Sequence, residues 1–273
     1  MNTPHRVALR AAVALCTAGL LLLLPAAAPS AATLRWTGGG ASALWSDAAN
    51  WDALRAPVEG DGLLFGAGSA RPDSVFDMTR TFAAVVFGAD AQAFALHVQG
   101  SGAVLVFDGA GIRNLTAGTG PIRQDLYADA GLAGGSIVFL GHSGINLGDT
   151  TTLRPVNLTA RGGASVSAIG GHIVFQDDSA STFDALRAEG ASVLGGVGGD
   201  ISFRGNALAT RTAALTVTGG TVLGAAGAQA SFSDLARADA IFNLLAGDNG
   251  GRGGRADFSG SIQAPLLWSV TAT

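Results

Sequence analysis

Short apolar runs that end in phenylalanine recur along the chain, and polar and apolar positions alternate within each run. In the run "GGHIVF", Ile173 and Phe175 fall on one face, whereas His172 and Val174 fall on the other. A period of two residues is that of a β-strand with one buried face. The alternation therefore predicts short β-strands along most of the chain.

Six of these runs recur at intervals of 32, 36, 28, 29 and 26 residues. They end at Phe107, Phe139, Phe175, Phe203, Phe232 and Phe258. Two earlier runs, which end at Phe65 and Phe87, extend the same series towards the N-terminus. Self-similarity at this kind of interval is typical of stacked repeats.

A weaker set of runs begins at Val156, Phe183 and Leu215, between the phenylalanine runs. Each repeat therefore contains at least two short strands, which are separated by glycine-rich turns. One such unit cannot bury its apolar face alone, but a stack of units forms a continuous core. The sequence predicts an all-β fold, a parallel β-solenoid, with a right-handed β-helix as the expected form.

One segment also fits a helix. In "SDLARADAIFNLL", Leu235, Ala238, Ile241 and Leu245 lie near helical spacing, and Ser233 could cap a helix. Because the repeat runs through this segment, strand and loop are predicted here, with a short helix as the alternative.

Composition agrees with an all-β chain and limits the partners. Glycine makes up 41 of 273 residues, and the chain has no lysine and only two glutamates, although helix surfaces draw on both of these residues. Removing Arg6 and Arg10 from the 16 basic residues leaves 14 against 20 acidic residues, a net charge of −6. This charge disfavours binding to nucleic acid or anionic lipid.

The first 32 residues have the layout of a secretory signal peptide. Arg6 and Arg10 precede an apolar core, and small residues lead to a cleavage site after Ala32. We therefore divide the chain into a signal peptide (1–32), a tryptophan-rich N-terminal cap (33–66) and glycine-rich β-helix repeats (67–273). The expected product has no transmembrane segment after signal removal. It is exported to the cell surface or the medium, with the periplasm as the alternative.

The start of the predicted mature chain carries a distinctive set of residues. They are Trp36, Trp45, Asn50, Trp51, Pro57, Asp61 and Phe65. This pattern resembles the opening of passenger regions built from autotransporter-associated β-strand repeats, and the "GG-x-I-x-F" runs are similar to passenger β-helix repeats. The resemblance implies a surface-displayed or secreted β-helix exported through a C-terminal outer-membrane barrel. No series of barrel strands follows Phe258, so we expect a piece of a longer autotransporter or another route of secretion.

The tryptophans allow two interpretations. Trp36, Trp45 and Trp51 could cover the open end of the solenoid, because terminal repeats are usually atypical. Alternatively, they could form a platform on which sugars stack. We favour the cap.

An enzymatic alternative rests on "FQDDSA". A Gln-Asp-Asp stretch on a β-helix resembles polygalacturonases, in which paired carboxylates hydrolyse glycosidic bonds, so Asp177 and Asp178 would be the catalytic pair and His142 the nearby histidine. The order of these motifs differs from that family, and its Arg-x-Lys cannot occur without lysine. We expect Asp177 and Asp178 to lie in a solvated turn after a strand.

No cofactor or metal is predicted. "GGVGGD" fits a calcium-binding β-roll pattern, but only one copy is present, and His97, His142 and His172 lie in different repeats. The predicted function is therefore non-enzymatic adhesion or surface display. The expected partners are host or matrix surface ligands, or a downstream outer-membrane barrel. A polysaccharide hydrolase or lyase and a structural matrix protein are the alternatives.

Overall fold

The computed structural model describes residues 31–117, 122–146, 155–182, 185–245, 250–259 and 267–271. Residues 31–273 form one compact unit. The predicted signal peptide lies outside the described residues except for Ala31 and Ala32.

Three stacks of parallel strands build the molecule, and the chain visits the three stacks in turn. The prediction of an all-β parallel solenoid is confirmed, and the solenoid has about seven turns. Apart from a single 3₁₀ turn at Ala48–Asn50, the described elements are strands. The right-handed sense of the coil stays a prediction.

The first stack contains short strands. Its members are β1 (Thr33–Trp36), β2 (Gly62–Phe65), the second half of β4 (Thr79–Phe87), the second half of β6 (Val104–Asn114), β9 (Gly144–Ile145), β12 (Ala180–Thr182), and the first halves of β15 (Leu208–Val217) and β17 (Arg237–Leu245).

The second stack, called the leucine stack, points one leucine per turn into the core over much of its length. Its strands are β3 (Asp73–Phe76), β5 (Ala95–Val98), β7 (Gln124–Ala128), β10 (Val156–Ala160), β13 (Ala185–Ala188), the second halves of β15 and β17, and β19 (Leu267–Thr271). The aligned buried leucines are Leu96, Leu126, Leu158, Leu186 and Leu215.

The third stack, called the phenylalanine stack, carries the runs that the sequence singled out. Its strands are the first halves of β4 and β6, β8 (Ser136–Phe139), β11 (His172–Phe175), β14 (Asp200–Phe203), β16 (Gln229–Phe232) and β18 (Arg255–Phe258). Their buried faces alternate with half-exposed ones, as a period of two residues requires.

Phenylalanine lies directly over phenylalanine in this stack. Phe107, Phe139, Phe175, Phe203 and Phe232 are all buried, and successive ring centroids are 5.2, 4.8, 4.7 and 4.6 Å apart. Phe258 occupies the same register position by its backbone pairing, but its side chain is outside the described part. The parallel in-register pairing therefore turns a repeat in sequence into a column of stacked rings.

The extension of this series towards the N-terminus was wrong. Phe65 and Phe87 pair with each other in the first stack, whereas Phe82 precedes Phe107 in the phenylalanine stack. Each turn has three inward-facing strands, so a strand that ends in phenylalanine does not by itself reveal its stack. The segment that also fitted a helix contains the strand β17, as the repeat required.

Glycine is needed where the loops after the leucine stack lie against one another. A Cβ on Gly162 would collide with the carbonyl of Gly190, and a Cβ on Gly190 would collide with the carbonyl of Gly219. These loops are joined by backbone hydrogen bonds, such as Gly163 N–H to Val197 O at 2.8 Å. Close backbone approach, rather than flexibility, therefore explains the glycine content here.

We predict that Gly190→Ala destabilises the fold by about 1–3 kcal/mol, because the added methyl group must push two backbones apart. Gly131→Ala is the matched control, since a Cβ there would meet no atom within 4 Å and its φ is not in the left-handed region. The control should leave stability unchanged or raise it slightly. Urea unfolding of both variants tests this, and equal midpoints would contradict the role given to Gly190.

Candidate functional site

The residues of the N-terminal motif converge on one aromatic cluster. Trp36, Trp45 and Trp51 are at most 1% exposed. The rings of Trp36 and Trp51 meet edge to face at 5.1 Å, those of Trp45 and Trp51 at 5.6 Å, and Phe65 lies 5.5 Å from Trp45. Because the rings are buried, they are not available for stacking on a sugar, and the platform interpretation fails.

Each indole N–H of this cluster has a partner. Trp36 donates to Arg71 O at 2.8 Å, Trp45 to Ser74 Oγ at 3.0 Å, and Trp51 to Trp45 O at 2.9 Å. Buried tryptophans need such acceptors. The tryptophans are therefore fixed in position as well as buried.

Asn50 and Pro57 of the motif are also buried. The Asn50 amide donates to the carbonyls of Ser42 and Leu44 at 3.0 and 2.8 Å, and its oxygen accepts the Gly40 N–H at 2.8 Å. One side chain thus closes the loop between the first two tryptophan positions. The motif fixes the conformation of this segment.

Asp61 is the buried charge of the motif. Its carboxylate accepts hydrogen bonds from Arg55 Nη1 and Nη2 at 2.7 and 3.0 Å, and from the backbone N–H groups of Ala32 and Val58, each at 2.8 Å. Burial acts to raise the pKa of Asp61, but the Arg55 and backbone hydrogen bonds outweigh it and lower the pKa below its usual value. The ionised carboxylate therefore holds three chain segments together.

The aspartate pair of the enzymatic alternative occupies a corner that is repeated from turn to turn. Asp177 and Asp178 are exposed and lie in a turn between the phenylalanine stack and the first stack. The φ angle of Asp177 is 58°, in the left-handed region. The residues at the same corner position in neighbouring turns share this conformation: Gly141 (55°), Gly205 (64°) and Asp234 (62°).

Hydrogen bonds link these corners. Asp177 Oδ2 accepts the Gly141 N–H at 3.3 Å, and Asp234 Oδ2 accepts the Gly205 N–H at 3.0 Å. The hydrogen bond from the Gly205 N–H lowers the pKa of Asp234, and a hydrogen bond from the Ser233 hydroxyl adds to this effect. Aspartate and glycine thus alternate at the left-handed position, and each aspartate binds the glycine of the preceding turn.

The other groups of the enzymatic hypothesis are also near this corner. His142 Nδ1 lies 4.0 Å from Asp178 Oδ2, and Asp178 Oδ1 accepts a hydrogen bond from Asn206 Nδ2 at 2.9 Å. The His142 side chain is 89% exposed. Stacking therefore brings His142 beside Asp178, but the Asp177 and Asp178 carboxylates both bond to the adjoining turns.

A polar groove on the outer face of the leucine stack was not predicted. Its volume is about 510 Å³, and its polar lining comes from Asp73, His97, Gln99, Asp129, Arg161 and Ser165. His97 Nδ1 lies 2.8 Å from Asp129 Oδ2, while His97 Nε2 lies 3.5 Å from Asp73 Oδ1. Arg161 Nη1 lies 3.1 Å from the other Asp129 oxygen.

Tyr127 is held between two of these side chains. The His97 ring is stacked on it at 4.7 Å, and the Arg161 guanidinium carbon lies 4.1 Å from its centroid. Burial, and then the charge of Asp125, raises the pKa of Tyr127. Both faces of the phenol ring are covered, so the groove offers charged and polar edges to a ligand but no free aromatic face.

The groove combines residues that are about one turn apart in sequence. His97 and Tyr127 are register partners, and Asp129 and Arg161 each follow directly after a strand of the leucine stack. Aligning the strand ends would have shown Asp129, Arg161 and Glu189 at one position, with alternating charge. The phenylalanine series places the turns correctly but does not mark this position.

His172 and Asp200 show the same effect of stacking on a smaller scale. They are register partners, and His172 Nδ1 lies 3.8 Å from Asp200 Oδ2. Among the described residues, no group of three or more His, Cys, Asp or Glu side chains is arranged so that it could hold a metal ion. Within the same part of the chain, no helix has the length and apolar character needed to span a membrane.

Comparisons with protein-family models, with curated proteins and with solved structures found no match.

We predict that Asp61→Asn lowers the free energy of unfolding at pH 7 by about 1–3 kcal/mol, because it leaves Arg55 facing an amide instead of a carboxylate. The native pKa of Asp61 is lowered, so its contribution is present above the unfolded pKa, near 3.9. It is lost as the pH falls through the native pKa. The difference between Asp61→Asn and wild type should therefore shrink below about pH 4.

The control for this experiment is Asp90→Asn, which removes an exposed carboxylate 3.9 Å from Arg35. It should change stability little at any pH. Denaturant unfolding of the three proteins at pH 7, 4 and 3 provides the measurement. A pH-independent effect of Asp61→Asn would show that its charge is not what stabilises the motif.

Proposed function

We propose that this protein is an exported bacterial β-solenoid of the autotransporter-passenger type, which acts without enzymatic chemistry in adhesion or surface display. One observation carries the proposal: the motif residues are used to hold the solenoid together. The tryptophans are buried, Asp61 binds Arg55, and Asp177 binds the preceding corner. A scaffold of this kind presents faces and loops to partners.

Export is supported by the sequence of the first 32 residues and by the tryptophan-rich opening. The aromatic cluster fills the core at the N-terminal end of the described solenoid. The backbone N–H of Trp45 donates to the carbonyl of Val75, in the leucine stack, at 2.8 Å. A covered end suits a protein that must avoid edge-to-edge aggregation. We therefore assign residues 33–66 as the N-terminal cap.

The groove beside Asp129 is where we place contact with a surface ligand. It combines a concave shape with charged side chains of both signs. Polar groups on a rigid scaffold are a common basis of specific recognition. The proposed ligand is a surface molecule of a host cell or of a matrix.

Cell fractionation with an antibody against the repeats tests export. We expect the product in the outer membrane, the medium or the periplasm, with an N-terminus near Thr33. A band much larger than this chain in the outer membrane would indicate a downstream barrel. A band of the mature size in the medium or periplasm would indicate another secretion route. A cytoplasmic product with an intact N-terminus would contradict the proposal.

The second candidate function is a polysaccharide hydrolase or lyase that uses Asp177 and Asp178, and the 4.0 Å approach of His142 to Asp178 favours it. We predict no turnover of pectin-like or other polysaccharides by the wild type. The test compares wild type, the double variant Asp177→Asn/Asp178→Asn and the control Asp108→Asn. Activity that is lost only in the double variant would establish the enzyme and end the non-enzymatic proposal.

A further inference from the structure

Three neighbouring loops form one edge of the solenoid. They follow the leucine stack and lie at 162–171, 190–199 and 219–228. Backbone hydrogen bonds join them, including Ser192 N–H to Gly163 O at 3.0 Å and Ala191 N–H to Ala226 O at 2.8 Å. The edge is therefore an ordered surface that continues from turn to turn. We call it the loop edge.

A line of large apolar side chains projects from the loop edge. Val166, Leu194 and Leu223 occupy equivalent positions in the three loops, and they are 74%, 65% and 76% exposed. Ile169 and Val197 form a second row, at 37% and 47%. Scattered exposed leucines are ordinary, but an aligned patch usually marks an interaction surface.

The positions of these side chains are fixed by the fold. Each is followed by a residue with positive φ: Ser167 (66°), Gly195 (82°) and Gly224 (72°). The Leu194 side chain lies over the next loop, where its Cδ1 is 3.0 Å from the point that a Cβ on Gly224 would occupy. Glycine thus leaves room for the apolar tip of the preceding loop, and the tips are spaced by the rise of one turn, about 4.8 Å.

The loop edge carries no charge. The three loops comprise thirty residues, and none is Asp, Glu, Lys, Arg or His. Eighteen of the thirty are half-buried or exposed, which approaches the roughly 20–30 residues that one side of a typical stable protein interface uses. The next loop adds one basic side chain beside this edge, Arg252, whose backbone bonds to Gly220 and Ala225. Binding to an anionic bilayer would require a cluster of basic residues there and is opposed by the net charge of −4 for the whole chain.

From this surface we infer that two copies of the chain associate side by side through their loop edges. The row of exposed apolar side chains has one member per turn, so its spacing matches that of the same row in a second copy. Two uncharged surfaces can also meet without leaving a buried charge unpaired. A two-fold axis near Leu194, the middle tip, would bring the same residues of both copies together. The inference needs the solenoid but not the proposed export.

The first test measures self-association of the full-length chain by analytical ultracentrifugation over a range of concentrations. We expect a dimer that Leu194→Arg weakens by about tenfold or more, because a charge enters an uncharged contact in both copies. Leu235→Arg is the matched control, since Leu235 is 54% exposed but lies at the corner beside Asp234. Both variants keep the same N-terminal segment, so any self-association through that segment affects both variants equally.

A second measurement does not depend on the fold tolerating arginine. Cys16 is the single cysteine, so Leu194→Cys in a Cys16→Ser background carries one thiol. Mild oxidation should give disulfide-linked dimers of Leu194→Cys and few dimers of Leu235→Cys. A monomer at all concentrations, equal loss of dimer in both arginine variants, or equal cross-linking in both cysteine variants would overturn the inference. Binding of neutral-lipid vesicles by a monomer that Leu194→Arg abolishes would also overturn it.

Discussion

Parallel backbone pairing between successive turns is the constraint on which the rest of this structure depends. Within the stacks, strands bond in register to the strands of adjacent turns, so equivalent residues lie directly above one another. The pairings β4–β6 and β15–β17 shift register between their two halves. Like side chains form columns: phenylalanine on phenylalanine and leucine on leucine. Where the chain turns sharply, the backbones themselves come into contact, and only glycine fits at positions such as Gly190.

The sequence predicted those strands that recur as a visible pattern of residue types. The phenylalanine series and the second set of runs correspond to two of the three stacks, since their strands have four or five residues with clear alternation. The first stack was missed because strands as short as Gly144–Ile145 leave no periodic signal. Phe65 and Phe87 end strands that do alternate, but they were assigned to the wrong stack because the sequence does not show how many strands complete a turn.

The candidate sites were less predictable, because their residues repeat in space and not in sequence. Asp177 and Asp178 attracted attention as neighbours in the chain, yet the hydrogen bonds of Asp177 and Asp178 run to other turns. His97 and Asp129 are 32 residues apart, and nothing near either residue indicates a site. The groove exists because stacking superimposes the ends of strands, and it could be found only with the register known.

The alternation of glycine and aspartate at one corner has a consequence for how such a gene can change length. The corner order Gly141, Asp177, Gly205, Asp234 repeats every second turn. Loss of one turn would place two aspartates, or two glycines, in succession; the first brings like charges together and the second removes a carboxylate partner. Over residues 141–234, a change of length that keeps each of these aspartates on a glycine N–H must therefore add or remove two turns together.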